Sequence, residues 1–381
     1  MRLLFLSNGH GEDLIGSRLA RELRRLLPAA GLSAFPLVGR GGAYEAAGIT
    51  TLGSRRELPS GGLTLHTFGN LAADVRAGLL RTTGGQLRDL RRLEADAVIV
   101  TGDLWALSLS LLTGVRAERR YVLQPLVSLA RPGPLTSPNR LFMERITLPE
   151  RILQRRFTAR VWTRDAATAA RLRDAGVTQA AFSGSFLEPV TAPAAPEAVP
   201  GRPDVLLLPG SRSWARESLA VMLGVVPHLP GVRFRVAWAG GPLPEPSGWE
   251  LVPGTPALLH RNGSRVELHA AAAFRDLLAE ADAVFGTSGT ALEEAAASGR
   301  PCLSFPLPGR HSAAFLRNQE RILEGALHAG SAREPVRLAA RLHSLLTDPA
   351  LRANAARTGR RLAAEAGGIP RIASELAALL S

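Results

Sequence analysis

The sequence predicts an α/β protein built from two tandem Rossmann-like domains of similar size, and three observations carry that expectation. Residues 2–28 run RLLFLSNGHGEDLIGSRLARELRRLLP, a buried-strand stretch, a glycine turn and an amphipathic helix; residues 204–230, DVLLLPGSRSWARESLAVMLGVVPHLP, repeat that order. Residues 94–106 (EADAVIVTGDLWA) and 280–292 (EADAVFGTSGTAL) share EADAV and place a Thr-Gly or Thr-Ser-Gly turn directly after the strand. Between the halves lies APAAPEAVPGRP, residues 192–203, rich in Pro and Ala and without periodicity, as a linker is. Short apolar strands alternating with helical patterns give βαβ units and a parallel sheet. The domains are therefore expected at 1–191 and 204–365. Residues 366–381 form a last helix, from about Pro370 to Leu380, which the sequence assigns to neither domain over the other.

Composition narrows the chemistry. The chain has 381 residues, 46% apolar and 21% charged, the balance of a globular protein rather than a disordered or collagen-like one. All 46 basic residues are arginine. Without lysine there is no Walker-A phosphate loop and no Schiff base. The single cysteine, Cys302, excludes an intrachain disulfide and a Cys-rich zinc or iron–sulfur site. The eight histidines are scattered with no HExxH or i,i+4 pair, so no metal is expected. His311, in a Pro/Gly-rich loop, either reaches a cleft or is solvated. The apolar run Leu3 to Leu6 is too short for a signal peptide, and Leu104 to Val115 falls short of the roughly twenty residues of a membrane span. A cytoplasmic protein without a transmembrane helix is expected.

Charge is uneven. Residues 1–190 carry 26 Arg against 16 acids, a surplus of ten, whereas residues 191–381 carry 20 against 17, a surplus of three. Part of the excess lies between Arg131 and Arg164, where eight arginines face only Glu144 and Glu150. Such a surface attracts nucleic acid, anionic lipid headgroups or a phosphorylated substrate. Leu63 to Leu93 combines Leu71, Val75, Leu79 and Leu80 with Arg76, Arg81, Arg88, Arg91 and Arg92. That pattern suits either an anionic membrane surface or an ordinary core-facing helix. No zinc finger or RNP motif is present and aromatics are 5%, so no specific nucleic-acid partner is expected.

Ligands of open α/β sheets bind beyond the carboxyl ends of the strands, which singles out four turns. In Ser7-Asn8-Gly9-His10-Gly11-Glu12-Asp13, Gly9 and Gly11 let backbone approach a ligand, and His10 and Asp13 put a titratable base at the mouth. It is not a dinucleotide fingerprint, because Leu14 stands where the third glycine belongs. In Leu208 to Arg212, Gly210 and Ser211 are expected to open a helix whose N–H groups suit phosphate, with Arg212 as a bidentate donor. In Gly286 to Glu294, Ser288, Gly289 and Thr290 form a diphosphate cradle and Glu293 is placed to accept ribose hydroxyls. In Thr101-Gly102-Asp103, Asp103 is either a general base or a helix N-cap.

LLPGSR at Leu207 to Arg212, and SGTALE at Ser288 to Glu293 followed by an Ala-rich helix and Gly299-Arg300-Pro301, resemble lipid-A-disaccharide synthase. The opening SNGHGEDLIG is similar to that of a related group of proteins from cyanobacteria and Deinococcus-type bacteria. The resemblance is best over about residues 204–330. It implies a GT-B glycosyltransferase, two Rossmann-like domains with the active-site cleft between them, that moves a sugar with inversion from a UDP-sugar, an N-acetylglucosamine type among the candidates, to a lipid-linked acceptor. By that resemblance Gly210, Ser211, Arg212, Ser288, Gly289 and Thr290 flank the diphosphate, Glu293 meets the ribose, and Asn318 and Gln319 sit near the donor sugar. Asp13 and Asp103 fall where the synthase has acidic residues. Transfer needs a base for the acceptor hydroxyl and positive charge for the leaving diphosphate. With no metal-ligand pair in view, helix N-termini and Arg212 would supply that charge, and His10 would be the base, with Asp13 or Asp103 orienting or replacing it. Rival expectations are a UDP-sugar epimerase of the same architecture, a non-catalytic nucleotide-sugar binder and a nucleic-acid-binding protein.

Overall fold

The structure, a computed structural model, describes residues 1–55, 75–130, 145–190, 201–307 and 312–381. Most of the expected linker, Leu71 of the amphipathic segment, Arg131, Arg140 and His311 lie outside the described residues. The chain divides into two compact units, Met1–Phe186 with Gly367–Ser381, and Leu187–Ala366.

The first unit runs β1 (Arg2–Ser7), α1 (His10–Leu26), β2 (Gly31–Pro36), α2 (Gly42–Ala46), β3 (Thr50–Thr51), α3 (Leu79–Leu90), β4 (Ala97–Thr101), α4 (Leu104–Ser110), β5 (Arg120–Gln124), α5 (Leu148–Phe157), β6 (Arg160–Thr163), α6 (Ala166–Asp174) and β7 (Ala180–Ala181). Its sheet is parallel throughout, in the order β3-β2-β1-β4-β5-β6-β7. Parallel strands are covered on both faces, which is why LLFL in β1 and AVIV in β4 are unbroken apolar runs. In α1, Ile15, Leu19 and Leu23 recur at four-residue spacing and bury against the sheet. Glu12 and Asp13 at its start and Arg24 and Arg25 at its end match the helix dipole. In α3, Gln86 and Leu90 are buried while Leu80 is 71% exposed, so the apolar stripe is split between core and surface.

The last helix, Gly368–Leu380, belongs to this unit. Ile369, Ile372, Ala373, Leu376 and Leu380 share one face and join Leu3, Phe5, Leu19, Leu23 and Trp162 in a single core. The Trp162 indole N–H donates to Glu375 Oε2 at 2.9 Å. Its entry is a close backbone crossing at which a Cβ on Gly368 would collide with the Gly184 carbonyl. Leu376 is fully buried, so Leu376→Ala should cost about 2–5 kcal/mol, read as a lower urea midpoint. An unchanged midpoint would mean the helix adds little to the unit.

The second unit runs β8 (Asp204–Leu208), α7 (Ala215–Val225), β9 (Arg233–Trp238), β10 (Glu250–Val252), β11 (Ala257–Arg261), β12 (Ser264–Ala270), α8 (Phe274–Glu280), β13 (Ala283–Gly286), α9 (Gly289–Ala297), β14 (Cys302–Ser304), α10 (Ala313–Ile322), β15 (Leu327–Ala329), α11 (Pro335–Thr347) and α12 (Pro349–Ala364). The sheet order is β10-β11-β12-β9-β8-β13-β14-β15. Pairing is parallel from β12 to β15 and antiparallel across β10, β11 and β12. The antiparallel edge is an addition to the expected parallel sheet. It arises where Asn262 (φ 46°) and Gly263 (φ 80°) form the left-handed two-residue turn that Asn-Gly favours.

The repeated EADAV has a structural role that is the same in both units. Asp96 accepts the Arg2 N–H at 2.6 Å and returns its own N–H to the Arg2 carbonyl; Asp282 does the same with Asp204, at 2.9 and 2.8 Å. Each aspartate thus clips the start of its strand to the neighbouring first strand, fixing the register of β4 on β1 and of β13 on β8.

Two buried groups bear on stability. Arg120 is 2% exposed, and its guanidinium donates to the carbonyls of Ser110, Val115 and Phe157, at 3.4, 2.6 and 2.9 Å. Ser110 and Phe157 are the last residues of α4 and α5, so one buried cation serves the negative ends of two helices. Cys302 is fully buried, and burial holds its thiol far above the ordinary range. A thiol reagent should therefore not react with the native protein and should titrate one thiol after denaturation; native reactivity would contradict this packing.

Candidate functional site

Each sheet has one point where successive connections turn in opposite directions, and ligands of open α/β sheets bind outside the strand ends there. In the first unit that point lies between β1 and β4, and in the second between β8 and β13. All four turns singled out in the sequence stand at these two points.

In the first unit the turn is shorter than the sequence suggested. β1 ends at Ser7, Gly9 is the N-cap, and His10 already opens α1, so Gly11 is helical rather than part of a loop. The Asp13 N–H bonds to the Gly9 carbonyl at 2.8 Å, closing the first helical turn. The His10 ring rests on Gly39, at φ 74°, where a Cβ would come within 3.0 Å of the ring. Asp13 does not lie at the mouth. It is 2% exposed and accepts the Ser7 hydroxyl at 2.5 Å, and Ser7 in turn accepts the Tyr44 hydroxyl at 3.2 Å. This inward placement follows from its position on α1, which also turns Ile15 and Leu19 to the core.

Asp103 is the N-cap of α4, accepting the Trp105 and Ala106 N–H groups. Its Oδ1 also accepts the Asn8 side-chain amide at 2.7 Å, which ties the ends of β1 and β4 together. Asn8, Tyr44 and Gly39 were not among the expected site residues. The glycine-rich stretch around Gly39 was the available signal. Behind Asp103 lies Glu150, 4% exposed, which accepts the side-chain amides of Gln124 and Gln154 at 2.8 and 3.3 Å.

Burial pushes the carboxyl of Asp13 from 3.8 up to about 7, with Glu12 adding to the rise and the Ser7 hydrogen bond opposing it. Burial, with the Asp103 charge, pushes Glu150 from 4.5 up to about 8. Both groups keep their protons in the folded state at pH values where the unfolded chain has lost them, so the folded state binds more protons and stability falls as pH rises. The fall should start near the unfolded values and level off above about 8. The melting temperature should thus drop between pH 5 and 8, and Asp13→Asn should flatten part of that slope. A slope identical in the variant would refute the assignment to Asp13.

In the second unit, Gly210 has φ 90°, and a Cβ there would lie 3.8 Å from Ser288 Cα, so the two turns approach closely. Thr287 locks them: its N–H bonds to the Leu208 carbonyl at 3.0 Å, and its hydroxyl bonds to the Pro209 carbonyl and to buried Ser218. Gly210 and Ser211 do not open a helix, contrary to expectation. A left-handed glycine cannot continue as α-helix, and α7 starts only at Ala215, after a turn in which the Ala215 N–H bonds to the Arg212 carbonyl at 2.9 Å. The Arg212 guanidinium lies over the Trp214 ring, 5.3 Å from its centroid.

Ser288 caps α9 by position without a side-chain cap bond, and Gly289 and Thr290 form the first helical turn. Glu293 follows one turn later, partly exposed. Gln319 is 3% exposed; its Oε1 is buried with no hydrogen-bond partner, and its Nε2 is 3.9 Å from where a Gly289 Cβ would stand. Asn318 accepts from Arg321 at 2.9 Å. The structure therefore brings Gly210, Ser288, Gly289 and Gln319 together in one unit, and Asn8, His10, Asp13 and Asp103 around the switch point of the other. Among the described residues no three His, Cys, Asp or Glu side chains gather as metal ligands.

This is the two-domain, Rossmann-like GT-B architecture. The chain is similar in fold to the glycotransferase of kitacinnamycin (15% identity, 100% of this chain and 99% of that one, TM-score 0.61). It is also similar to CalG4, the calicheamicin glycosyltransferase (18% identity, 100% and 98%, TM-score 0.60). A Listeria monocytogenes protein described as a UDP-N-acetylglucosamine 2-epimerase matches as well (14% identity, 100% and 95%, TM-score 0.59). No protein-family model matches the sequence, and no curated protein does. No helix among the described residues is long and apolar enough to cross a membrane.

Proposed function

We propose that the protein is a metal-independent, inverting glycosyltransferase that moves a sugar from a UDP-sugar, of N-acetylglucosamine type, to a lipid-linked acceptor at the cytoplasmic face of the membrane. The observation that carries the reading is the second unit's switch point. There a left-handed Gly210 faces Ser288, α9 starts without a side-chain cap, and Gln319 holds a buried acceptor with no partner. Uncapped helical N–H groups suit a diphosphate, the orphaned amide oxygen suits a sugar hydroxyl, and Arg212 supplies charge to the leaving group. Ser211 and Thr290 flank the diphosphate, Glu293 takes the ribose hydroxyls, and Asn318 joins Gln319 at the sugar. In the first unit His10 takes the proton of the acceptor hydroxyl as the oxygen attacks the anomeric carbon. Asp103 and Asp13 act behind it, Asp103 through Asn8 and the start of α4, Asp13 through Ser7.

The lipid acceptor and a lipid-A-disaccharide-synthase-like subtype rest on the motif resemblance, with support from exposed Leu148 and Ile152, one turn apart on α5 among arginines. Calorimetry with UDP tests the donor site. Arg212→Ala and Glu293→Ala should each weaken binding about tenfold or more, the worth of one charge-assisted contact. No saturable binding at millimolar UDP, or binding indifferent to both changes, would refute the assignment. The fold also suits a UDP-sugar epimerase, as the Listeria neighbour illustrates. Turnover of a UDP-sugar with no acceptor present would favour that reading.

A further inference from the structure

Asn8 and His10 leave the same turn, after β1, and each packs against a glycine of a neighbouring turn on opposite sides of that strand. Asn8 crosses Gly102 (φ 153°), directly after β4, where a Cβ would collide with its amide. His10 crosses Gly39 (φ 74°), three residues past the end of β2. Gly41, in the same loop as Gly39, is also left-handed (φ 77°), but a Cβ there would meet Pro36 and Thr51, the frame of the loop itself. At Gly39 the three heavy atoms nearest to such a Cβ all belong to the imidazole: Cε1 at 3.0 Å, Nε2 at 3.2 Å and Nδ1 at 3.7 Å. The glycine therefore faces the side of the ring that carries both nitrogens.

We infer that Gly39 is a positioning residue for the transfer: by lacking a side chain it lets the imidazole lie against the β2 turn, and so sets where His10 presents its nitrogens to the acceptor hydroxyl. This rests on the reading of His10 as the base. Non-bonded carbons pack best at about 3.5–4.0 Å, so a Cβ at Gly39 forces the ring or the loop to give way. The loop is held on both flanks. The Leu37 N–H donates to the Ser7 carbonyl at 2.8 Å, and the Leu37 carbonyl accepts the Gln86 amide at 2.9 Å. The Arg40 carbonyl accepts the Arg55 guanidinium at 2.6 Å. The ring is the part that yields. A base must stand within about 2.6–3.2 Å of the oxygen whose proton it takes, so a shift of a few tenths of an ångström is felt in the rate.

NMR of the full-length protein carrying isotope-labelled histidine reads the ring directly. The Cε1–H resonance of His10 is identified among the eight histidines by its loss in His10→Ala. Gly39→Ala should move that resonance. Gly39→Asn places the same Cβ on a residue that tolerates a left-handed backbone better, and should move it too. Gly114→Ala is the control. Gly114 has φ 69° in the same unit, and a Cβ there meets nothing within 4 Å, so the substitution strains the backbone without touching a neighbour. It should leave the His10 resonance and turnover unchanged. Both Gly39 variants should lower kcat about tenfold, a part of the roughly 10²-fold that a 1 Å misplacement costs, with the KM for the UDP-sugar unchanged. The inference is overturned if the resonance stays in place in both Gly39 variants, or if Gly114→Ala moves it as far. It is also overturned if kcat holds in a Gly39 variant whose His10 resonance has moved while His10→Ala abolishes turnover. The resonance needs no substrate, so it is independent of the base assignment, which fails separately if His10→Ala keeps near-wild-type turnover. Melting curves of the variants verify that each is folded.

Discussion

Replacing His10 with alanine should lower glycosyl transfer by about 10²–10⁴-fold, the usual worth of a general base, while leaving UDP affinity unchanged. The other two candidates for that role are committed elsewhere. Asp103 spends its carboxylate on two N–H groups of α4 and on Asn8, and Asp13 faces inward onto Ser7. His10 alone among them opens a helix at the strand end with its ring seated on a glycine that leaves it room. The measurement is the initial rate with a UDP-sugar and an acceptor, alongside calorimetry with UDP. Near-wild-type turnover would remove His10 from the mechanism. A parallel loss of UDP binding would mean that the substitution had damaged the fold instead.

The second large effect concerns Arg120. Arg120→Met should destabilise the protein by about 3–5 kcal/mol, because three buried carbonyls lose a charged donor at about 1–3 kcal/mol each. The methionine fills part of the space but leaves the carbonyls of Ser110, Val115 and Phe157 without their donor. The urea midpoint should fall with the slope unchanged, and Arg120→Lys should recover only part of the loss, because an ammonium cannot span three carbonyls as a fork does. A change below about 0.5 kcal/mol, the range of ordinary surface substitutions, would show that water or rearranged backbone satisfies those carbonyls.

The two-domain α/β organisation was legible because buried parallel strands leave unbroken apolar runs and because the same strand–turn–helix phrase occurs twice. EADAV marked equivalent strands, and the structure shows why those residues recur: Asp96 and Asp282 clip equivalent strand pairs. What was not legible depends on contacts between distant parts of the chain. The face of Ile372 and Leu376 fits any sheet, so its partner could not be read from periodicity. Arg120 looks like one more surface arginine until β5 is buried. Whether a glycine turn leads straight into a helix depends on its φ, and Gly210 took the left-handed value that delays α7 to Ala215. Gly11, by contrast, was absorbed into α1, whose acidic first turn favours an early start.

The helix Gly368–Leu380 makes the second unit an insertion within the first, and that orders events during synthesis. When the ribosome has finished β7, the apolar faces of α1 and of strands β1 and β5 still lack the helix that covers them, and about 180 further residues must be made before it emerges. The later unit is contiguous and can close first, whereas the earlier one must wait with exposed apolar surface, the condition under which nascent chains recruit chaperones or aggregate. A circular permutant that begins with residues 367–381 and continues into Met1 would let the first unit close as soon as it is made.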